Sequence, residues 1–394
     1  MTDPYKGVRD FYPEDQRVQT YIFNAMRRAV ESYGYEEYNA SILEPTELYR
    51  SKSSEEIIND QTYTFTDRGD RSVTLRPEMT PTVARMVAAR KRELGYPLRL
   101  YCIQNFFRYE RPQRGRLREF WQLNADLFGV QGIEADVEIL ATAYRVMEEL
   151  GAHHSNFIIK IANREFLDFA YESAGIPKEE RMQLTRLLDA GKELPVDVQS
   201  ALSNRGEFPY FEQLQNALVA RGINNAVIDT SIARGFDYYT GLVFEVFDTN
   251  PENKRAMFGG GRYDTLVEKY GSEPVAAVGF AMGDVIARDF LETHNLLPKL
   301  ASSVQLYLAP VGRADSLQQT ADSLRKQGIN VAIGMKHDKI GDHIKNAAKL
   351  GIPYFAAYGE DEERSHEITI RNLTTGTEEK VALDKVASAL VANP

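Results

Sequence analysis

The densest group of side chains suited to chemistry is 107-FRYERPQRGRLREFWQ-122, with arginines at positions 108, 111, 114, 116 and 118 and one acid between them, Glu110. Guanidinium groups bind phosphate oxygens through paired hydrogen bonds, so this spacing indicates a phosphate site. Partly alternating aromatic segments flank the run, and Pro112 and Gly115 interrupt it. The pattern predicts a β-hairpin with an arginine-rich tip. Charge alone is equally consistent with a solvated basic hairpin.

Three other segments combine polar side chains with turn residues. In 74-TLRPEMTPTVAR-85, Glu78 is suited to bind an ammonium group, and Thr80 is suited to cap the helix that starts near it. In 234-RGFDYYTG-241, aromatic rings with polar tips suit either a pocket for a small polar ligand or a tyrosine-rich hairpin in a core. The glycines of 259-GGGRYD-264 let a ligand or another strand approach the backbone closely. Each segment is a weak signal by itself.

A fifth segment, 279-GFAMGDVIARDFL-291, predicts a glycine-punctuated turn that opens a helix. Such a turn can present backbone N–H groups to a phosphate. The first basic residue after Gly283 is Arg288, five positions further on. The segment therefore raises the question of which residue would supply a positive charge there.

The elements that must position these segments follow from hydrophobic periodicity. Residues 1–160 mix amphipathic helices with short β-rich runs, and residues 165–225 are predicted to be mostly helical. Residues 232–247 are predicted to form two strands joined at Tyr239–Gly241. The sheet-forming pattern thus resumes after a helical insertion.

A Pro- and Ser-containing linker at 294–303 precedes a change of pattern. Strand, helix, strand, helix and strand then follow over residues 304–359, which is typical of a small α/β domain with a largely parallel sheet. We predict two domains, 1–298 with its insertion at about 165–225, and 304–394.

Composition limits the classes of protein to consider. The 394 residues are 43% hydrophobic and 26% charged, as in soluble globular proteins, and the net charge of −10 disfavours non-specific nucleic-acid binding as the main function. The single cysteine, Cys102, excludes an intrachain disulfide. With no secretory segment or apolar run of about 18 residues, we expect a cytoplasmic protein that does not cross a membrane. No Cys/His cluster has zinc spacing, so no zinc is expected.

Together with 6-KGVRDFYPED-15, these segments resemble the signatures of the histidyl-tRNA synthetase family of class II aminoacyl-tRNA synthetases, both in their residues and in their order along the chain. The resemblance covers nearly the whole chain. It implies an α+β catalytic domain, with a class II synthetase-type antiparallel sheet flanked by helices, and a small α/β C-terminal anticodon-binding domain. It also implies a homodimer that activates L-histidine with ATP to histidyl-adenylate and transfers it to the 3′ end of tRNA(His).

The same resemblance implies a role for individual residues. The histidine pocket would be formed by Glu78, Thr80, Gln122, Asp126, Tyr238 and Tyr239. The catalytic residues would be Arg108 and Arg234, on opposite sides of the α-phosphate. ATP would be bound by Arg108, Arg116, Gln122 and Arg234, with Mg²⁺ bridging its pyrophosphate oxygens. The acceptor end of the tRNA would contact Arg111, Gln113 and Arg114.

The sequence departs from the family pattern at three places. Ser41 occupies the position of the motif 1 proline, and Asp126 stands where the family commonly has glutamate. In the motif 3 segment, Ile286 occupies the place of an arginine that clamps ATP, and Asp284 and Val285 also replace the usual residues. Arg288 is two residues further along, and two helical residues rotate a side chain by roughly 200°. We therefore expect Arg288 to face away from that place.

Two alternatives to a synthetase remain at this point. The first is a non-charging paralogue such as the regulatory subunit of ATP phosphoribosyltransferase, although the presence of Glu78, Arg108, Arg234 and a C-terminal module argues against it. The second is an RNA-binding accessory protein. Its C-terminal module would offer a lysine cluster at 336–349, but residues 304–394 hold 11 basic and 12 acidic side chains. A solvated helix face explains that cluster equally well.

Overall fold

The computed structural model describes residues 2–50, 61–189, 192–204, 208–232, 238–313, 315–335 and 339–392. The chain divides into two compact units, residues 1–297 and 298–394. Among the described helices, none combines the length and apolar composition needed to cross a bilayer.

Helices and strands alternate along the first unit. Its helices are α1 (Pro13–Glu31), α2 (Glu47–Arg50), α3 (Thr80–Arg90), α4 (Ile133–Glu149), α5 (Arg164–Ser173), α6 (Lys178–Asp189), α7 (Val196–Ser203), α8 (Tyr210–Val219) and α9 (Asp284–Thr293). Its strands are β1 (Glu36–Glu37), β2 (Leu43–Pro45), β3 (Tyr63–Thr66), β4 (Ser72–Leu75), β5 (Leu98–Phe107), β6 (Glu119–Phe128), β7 (Phe157–Asn163), β8 (Ala226–Ile228), β9 (Leu242–Asp248), β10 (Ala256–Arg262) and β11 (Ala277–Gly283).

Eight of these strands form one sheet in the order β1-β5-β6-β11-β10-β9-β7-β8. The two edge pairs, β1 with β5 and β7 with β8, are parallel. All five pairs between them are antiparallel. An antiparallel-dominated sheet flanked by helices is the expected class II synthetase-type architecture. A smaller sheet, ordered β2-β4-β3, lies before α3.

Helix α1 covers the large sheet because its apolar residues recur at helical spacing. Ile22, Met26 and Val30 are four residues apart and fully buried, so they form one apolar face. Pro13 opens the helix and acidic residues occupy its first turn, which suits the positive end of the helix dipole. This face shares a hydrophobic core with α4 and the central strands.

The arginine-rich segment lies in the predicted hairpin. Strands β5 and β6 pair in antiparallel register from Leu98↔Phe128 to Phe107↔Glu119, and residues 108–118 connect them. The prediction of a mostly helical insertion also agrees with α5 to α8. Within 232–247 the second predicted strand is β9, whereas the first falls mainly on residues 233–237, outside the described residues.

The proposed capping role of Thr80 was wrong. Thr80 is the first residue of α3, and the capping position belongs to Met79, with no side-chain cap. Because Pro81 follows Thr80 and lacks an N–H, it suits the first turn of a helix without a cap.

The second unit is a small α/β domain with its own hydrophobic core. Its elements are β12 (Leu306–Pro310), α10 (Leu317–Lys326), β13 (Val331–Ile333), α11 (Ile340–Lys349), β14 (Tyr354–Tyr358), α12 (Glu360–Ser365), β15 (Glu367–Asn372), β16 (Glu378–Ala382) and α13 (Val386–Ala392). The sheet order is β13-β12-β14-β15-β16. The first three strands are parallel as predicted, but β15 and β16 are antiparallel, so the sheet is mixed.

Candidate functional site

A cavity of about 200 Å³ opens onto one face of the large sheet of the first unit. We call it the inner cavity, and it is lined by Glu78, Thr80, Arg108, Gln122, Asn124, Asp126, Tyr239, Gly259, Tyr263, Gly279, Phe280 and Ala281. Six of these are site residues named from the sequence: Glu78, Thr80, Arg108, Gln122, Asp126 and Tyr239. Segments far apart in the sequence therefore meet at one recess.

Arg76 positions the carboxylate of Glu78. Its guanidinium group is completely buried and donates to the carbonyl oxygens of Asn105 at 2.8 Å and Ala40 at 2.9 Å. It also donates to the side chains of Gln104 and Asn105. Because these bonds join the LRPE segment to β5, Glu78 is presented to the cavity from a rigid turn. Arg76 is thus a structural residue of the motif.

Arg108 enters the cavity from the end of β5. Its Nε donates to the carbonyl oxygen of Pro77 at 2.9 Å, and its guanidinium group lies over the ring of Phe120 at 5.4 Å. Within the described residues, its two terminal nitrogens have no hydrogen-bond partner. The group is therefore oriented by one edge and can offer its terminal nitrogens to an anion.

Strand β6 places a row of polar side chains on the cavity floor. Gln122, Asn124 and Asp126 are two residues apart, so they share one face of the strand. Sequence reasoning named the first and third but missed Asn124, although the alternation of the strand was a usable signal. Asn124 is 5% exposed, and among the described residues its side chain forms one hydrogen bond, a long one from Nδ2 to the Gln122 carbonyl oxygen at 3.5 Å.

Asp126 provides the one carboxyl group of this row, and it is 3% exposed. Burial raises its pKa to about 7, although a hydrogen bond from the Tyr263 hydroxyl to Oδ1 acts in the opposite direction. Its Oδ2 is buried and has no hydrogen-bond partner in the part of the chain that the structure describes. This oxygen is therefore available to a hydrogen-bond donor that enters the cavity. Tyr263, from the GGGRYD segment, is a second site residue that sequence reasoning missed.

Tyr239 lines the inner cavity, and Tyr238, which is not among the lining residues, contacts both Tyr239 and Glu78. The Tyr238 hydroxyl donates to Glu78 Oε2 at 3.1 Å, and the two tyrosine rings meet edge to face with centroids 5.3 Å apart. Burial, followed by the nearby Glu78 carboxylate, raises the pKa of both hydroxyls. The tyrosines therefore stay protonated and act as neutral hydrogen-bonding walls.

Glycines allow the floor of the cavity to form. A Cβ atom built on Gly279 would lie 2.2 Å from Asp126 Oδ1, and one on Gly259 would lie 2.4 Å from the Phe244 carbonyl oxygen. The predicted close approach at the GGGRYD segment is therefore mainly strand to strand, while Gly259 also lines the cavity.

A larger cleft of about 420 Å³ lies at the neighbouring end of the sheet, where α9 begins. We call it the outer cleft, and it is lined by Gln113, Arg114, Gly115, Asp248, Glu252, Asn253, Lys254, Arg255, Met257, Ile286, Asp289 and Phe290. Arg114 donates to Asp289 at 2.9 Å. Of the residues named for the tRNA acceptor end, Gln113 and Arg114 thus border this cleft, and Arg111 is exposed on the connecting loop.

Of the arginines named for ATP, Arg116 does not line the inner cavity. Arg116 is paired with Glu110 at 3.2 Å on the hairpin connection. Arg234 lies outside the described residues.

The motif 3 segment forms strand β11, Gly283 and helix α9. Ile286 faces the hairpin connection, because a Cβ on Gly115 would lie 3.3 Å from its Cδ1. Arg288 faces the opposite way, as predicted, and forms ion pairs with Asp15 at 3.0 Å and Glu292 at 2.8 Å. The place of the clamping arginine is therefore apolar.

Asp284, another departure from the motif, has a clear structural role. Its buried carboxylate accepts hydrogen bonds from Arg9 at 2.7 Å, from the Trp121 backbone N–H at 2.9 Å and from Gln19 at 3.4 Å. It joins the N-terminal segment, α1 and β6 to the start of α9. The Ser41 side chain, at the motif 1 position, is exposed and accepts from the Leu43 N–H.

Within the described ranges, no group of three or more His, Cys, Asp or Glu side chains is arranged to hold a metal ion. The described groups are suited to bind a small cationic or hydrogen-bonding ligand in the inner cavity and an anionic group beside Arg108.

Similar proteins are known across nearly the full length of the chain. The family model for histidyl-tRNA synthetase matches residues 7–207 and 197–284, and the model for the anticodon binding domain matches residues 305–393. A histidine–tRNA ligase of Leptospira biflexa is 37% identical over 409 aligned positions, which cover 95% of this chain and 94% of the relative.

Solved structures agree in fold. The apo histidyl-tRNA synthetase of Staphylococcus aureus superposes with a TM-score of 0.75 at 26% identity, covering 99% of this chain and all of that one. A Bacillus halodurans protein described as an ATP phosphoribosyltransferase regulatory subunit/histidyl-tRNA synthetase has a TM-score of 0.71 at 22% identity, covering 88% and 96%. At that identity the likeness concerns the fold alone.

Proposed function

The chain belongs to the histidyl-tRNA synthetase family and is a histidine–tRNA ligase, and we propose from this premise which of its residues perform the reaction. The observation that carries the proposal is the inner cavity. It gathers Glu78, Gln122 and Asp126 around a space suited to a small polar molecule, with Arg108 at its edge.

The first reaction forms histidyl-adenylate. A carboxylate oxygen of histidine attacks the α-phosphorus of ATP and a new P–O bond forms. The bond from the α-phosphorus to the bridging oxygen breaks, and pyrophosphate leaves with that electron pair. No proton has to move. Because both reactants are anionic, the enzyme mainly has to align them and neutralise their charge.

The histidine end of the pocket consists of acceptors and neutral walls. Glu78 receives the α-ammonium group, with Thr80 beside it at the start of α3. Asp126 receives an imidazole N–H through Oδ2, the atom that has no hydrogen-bond partner among the described residues. Gln122 lies between them and the reacting carboxylate, while Tyr238 and Tyr239 enclose the ring.

The ATP end depends on arginines. Arg108, held by the Pro77 carbonyl, donates its terminal nitrogens to the α-phosphate. Arg234 approaches from the opposite side and Arg116 reaches the outer phosphates, both on the strength of the family resemblance. Gln122 completes the ATP contacts. Mg²⁺ enters with ATP as part of the substrate and neutralises the pyrophosphate as it leaves.

The second reaction transfers the histidyl group to tRNA(His). A hydroxyl oxygen at the 3′ end attacks the carbonyl carbon of the adenylate, AMP leaves with the C–O bonding electrons, and the hydroxyl proton is released. Arg111, Gln113 and Arg114 on the hairpin connection are the proposed contacts to the acceptor end. The C-terminal domain, 304–394, binds the anticodon region.

The oligomeric state and the cellular location of the protein are part of the same proposal. We infer a homodimer, as the resemblance implies, with the exposed Ser41 at the motif 1 position. We also infer a cytoplasmic location, where tRNA is charged. The lone cysteine, Cys102, is buried and free, in keeping with a reducing compartment.

Histidine-dependent exchange of labelled pyrophosphate into ATP tests the proposal. The wild-type protein should exchange only when L-histidine is present. Arg108→Ala should lower kcat by about 100- to 1,000-fold, because it removes a preorganised donor at the reacting phosphate, while the KM for histidine changes little. A folded wild-type protein without exchange contradicts the activity. An Arg108→Ala variant with unchanged turnover contradicts the assignment of Arg108.

A further inference from the structure

The outer cleft contains positive charge that the proposed reaction does not yet use. Of its acidic groups, Asp289 pairs with Arg114, while Asp248 accepts from His294 and Asn253 at 2.7 Å each. The remaining charged side chains are Glu252, Lys254 and Arg255. None of these three forms a side-chain hydrogen bond or ion pair with a described residue. The six charged lining residues carry three negative and three positive formal charges, and Lys254 and Arg255 are the two cations that are not hydrogen-bonded to a described acid.

The outer cleft lies directly beside the inner cavity. Met257 lines the cleft and Gly259 lines the cavity, and both belong to β10. Two residues of a strand span roughly 7 Å, a distance that the whole triphosphate chain of a nucleotide, with its terminal oxygens, can bridge. Ile286 lines the same cleft. An anion that extends from the inner cavity into the outer cleft therefore meets Ile286, the apolar residue at the motif 3 arginine position. Arg255 lines the same cleft.

We propose that the outer cleft is a phosphate-binding site in which Arg255, assisted by Lys254, supplies the positive charge that position 286 lacks. Arg255 comes directly before β10, whose first residue, Ala256, is paired with Phe247, so its backbone is held by the sheet. A guanidinium group also matches phosphate oxygens better than an ammonium group does. The inference rests on the proposed function, because it assumes an α-phosphate at Arg108.

Other nearby arginines do not fill this role. Arg288 is on the opposite face of α9 and is committed to Asp15 and Glu292. Arg114 is committed to Asp289 and to Thr293, one and two turns beyond Ile286. Arg116, which the proposed function assigns to the outer phosphates, does not line the cleft, and it would have to leave its ion pair with Glu110 to contribute there. Among the described cations near the cleft, Arg255 and Lys254 are thus the two that lack a partner.

The phosphate could belong to either of two substrates. The outer phosphates of ATP would reach the cleft from the inner cavity, and the backbone of the tRNA acceptor end would reach it over Gln113 and Arg114. Kinetics distinguish the two sources, because ATP–pyrophosphate exchange requires no tRNA.

The experiment compares Arg255→Ala and Lys254→Ala with wild-type full-length protein. Arg68→Ala is the matched control, because Arg68 is an exposed arginine on the β3–β4 turn that lines neither the cavity nor the cleft. If ATP is the ligand, Arg255→Ala should raise the KM for ATP in the exchange assay by about 10-fold or more, as expected for a lost charged hydrogen bond. The KM for histidine should stay unchanged, and Lys254→Ala should have the smaller effect.

If the tRNA backbone is the ligand, exchange stays normal and the KM for tRNA rises in the charging assay. The slope of log affinity against log salt should then fall by about 1 per lost contact. Unchanged KM values for both ATP and tRNA in the Arg255→Ala variant overturn the phosphate site. The ATP–pyrophosphate exchange of the wild-type protein is measured in the same experiment. If the wild-type protein shows no exchange, the result contradicts the proposed function and not the phosphate site.

Discussion

Ile286 and Asp284 are two departures from one motif with different consequences. Asp284 is buried and accepts three hydrogen bonds that join the N-terminal segment to α9, so it contributes to architecture. Ile286 removes a charge and faces the glycine of the hairpin connection. Only the second departure bears on the proposed neutralisation of phosphate, and the proposal therefore turns to Arg255, directly before β10.

Residue-level prediction named side chains that the fold brings to one cavity where they belong to a recognisable motif, and the roles of these residues stay predictions. Glu78, Gln122 and Asp126 were named from short signatures, and all three line the inner cavity. Asn124 and Tyr263 were missed because they belong to no signature that was assigned a role. Their participation depends on which face of a strand turns inward, and on a hydrogen bond between residues 137 positions apart.

The buried carboxyl group of Asp126 predicts a specific pH dependence of stability. Its pKa rises from 3.8 to about 7 on folding, so between these values the folded state keeps a proton that the unfolded chain has lost. The free energy of unfolding should therefore fall as pH rises from about 4 to about 7. The Asp126→Asn side chain cannot ionise, so the free energy of unfolding of this variant should not fall with pH in this way. Relative to wild type, its free energy of unfolding should increase by roughly 4 kcal/mol between about pH 4 and about pH 7.

Urea denaturation of both proteins at several pH values measures this difference. The two stability curves should diverge steadily above pH 4 and run parallel above pH 7 to 8. Curves that stay parallel throughout would show that the Asp126 carboxyl group is not held in its neutral form by burial.

At the scale of elements, the antiparallel centre of the large sheet determines where the cavity forms. Strand β11 lies between β6 and β10, and its register places Gly279 opposite Asp126 and Ala281 opposite Asn124. A residue without a side chain is needed opposite Asp126 because the carboxyl group occupies that space. The glycine-punctuated segment is therefore needed first for packing between strands.

Gly279→Ala and Gly283→Ala form a matched pair that tests this packing. A Cβ at Gly279 would lie 2.2 Å from Asp126 Oδ1, whereas the nearest atom to a Cβ at Gly283 is the Trp121 carbonyl oxygen at 3.8 Å. Above the Asp126 pKa of about 7, where the carboxyl group is ionised, Gly279→Ala should raise the KM for histidine by about 10-fold or more, since a hydrogen bond to a charged group is worth about 1.5–3 kcal/mol. Gly283→Ala should leave it nearly unchanged. Equal KM values for the two variants in the exchange assay would contradict the role of Gly279.

Elements were predictable from sequence where the periodicity is local and uninterrupted. Strands β5 and β6 alternate in part and are joined by a loop with Pro112 and Gly115, so the hairpin was predictable. The antiparallel strands β15 and β16 were missed, although Ile368 and Ile370 alternate with polar residues. The cap of α3 was misassigned because Thr80 is a favoured capping residue, whereas the helix begins at Thr80 itself and is opened by Pro81.

At the scale of the whole molecule, the chain contains two units with separate hydrophobic cores. The inner cavity and the outer cleft are both formed entirely by residues of the first unit. The Pro- and Ser-containing linker at 294–303, and the alternating strand and helix patterns that follow it, predicted a domain boundary near this position. Which strands of each unit become neighbours depends on contacts distant in sequence, and local periodicity does not contain that information.

Removal of residues 304–394 should separate the two reactions. Histidine-dependent exchange should be largely retained, because every described residue of both pockets lies in the first unit. Charging of tRNA should fall by roughly 100-fold or more, equivalent to losing about 3 kcal/mol of tRNA binding. The two assays on the truncated and full-length proteins measure this, and an equal loss in both would contradict the division of roles.

The most direct test of the account is charging itself. Purified full-length protein is incubated with ATP, Mg²⁺, labelled L-histidine and tRNA(His), and the labelled tRNA is counted against the amount of enzyme. The account predicts many histidyl-tRNA molecules per enzyme, and none when another amino acid or a non-cognate tRNA is supplied. A folded protein that forms no histidyl-tRNA above background would contradict it, and this is the result expected of a non-charging regulatory paralogue.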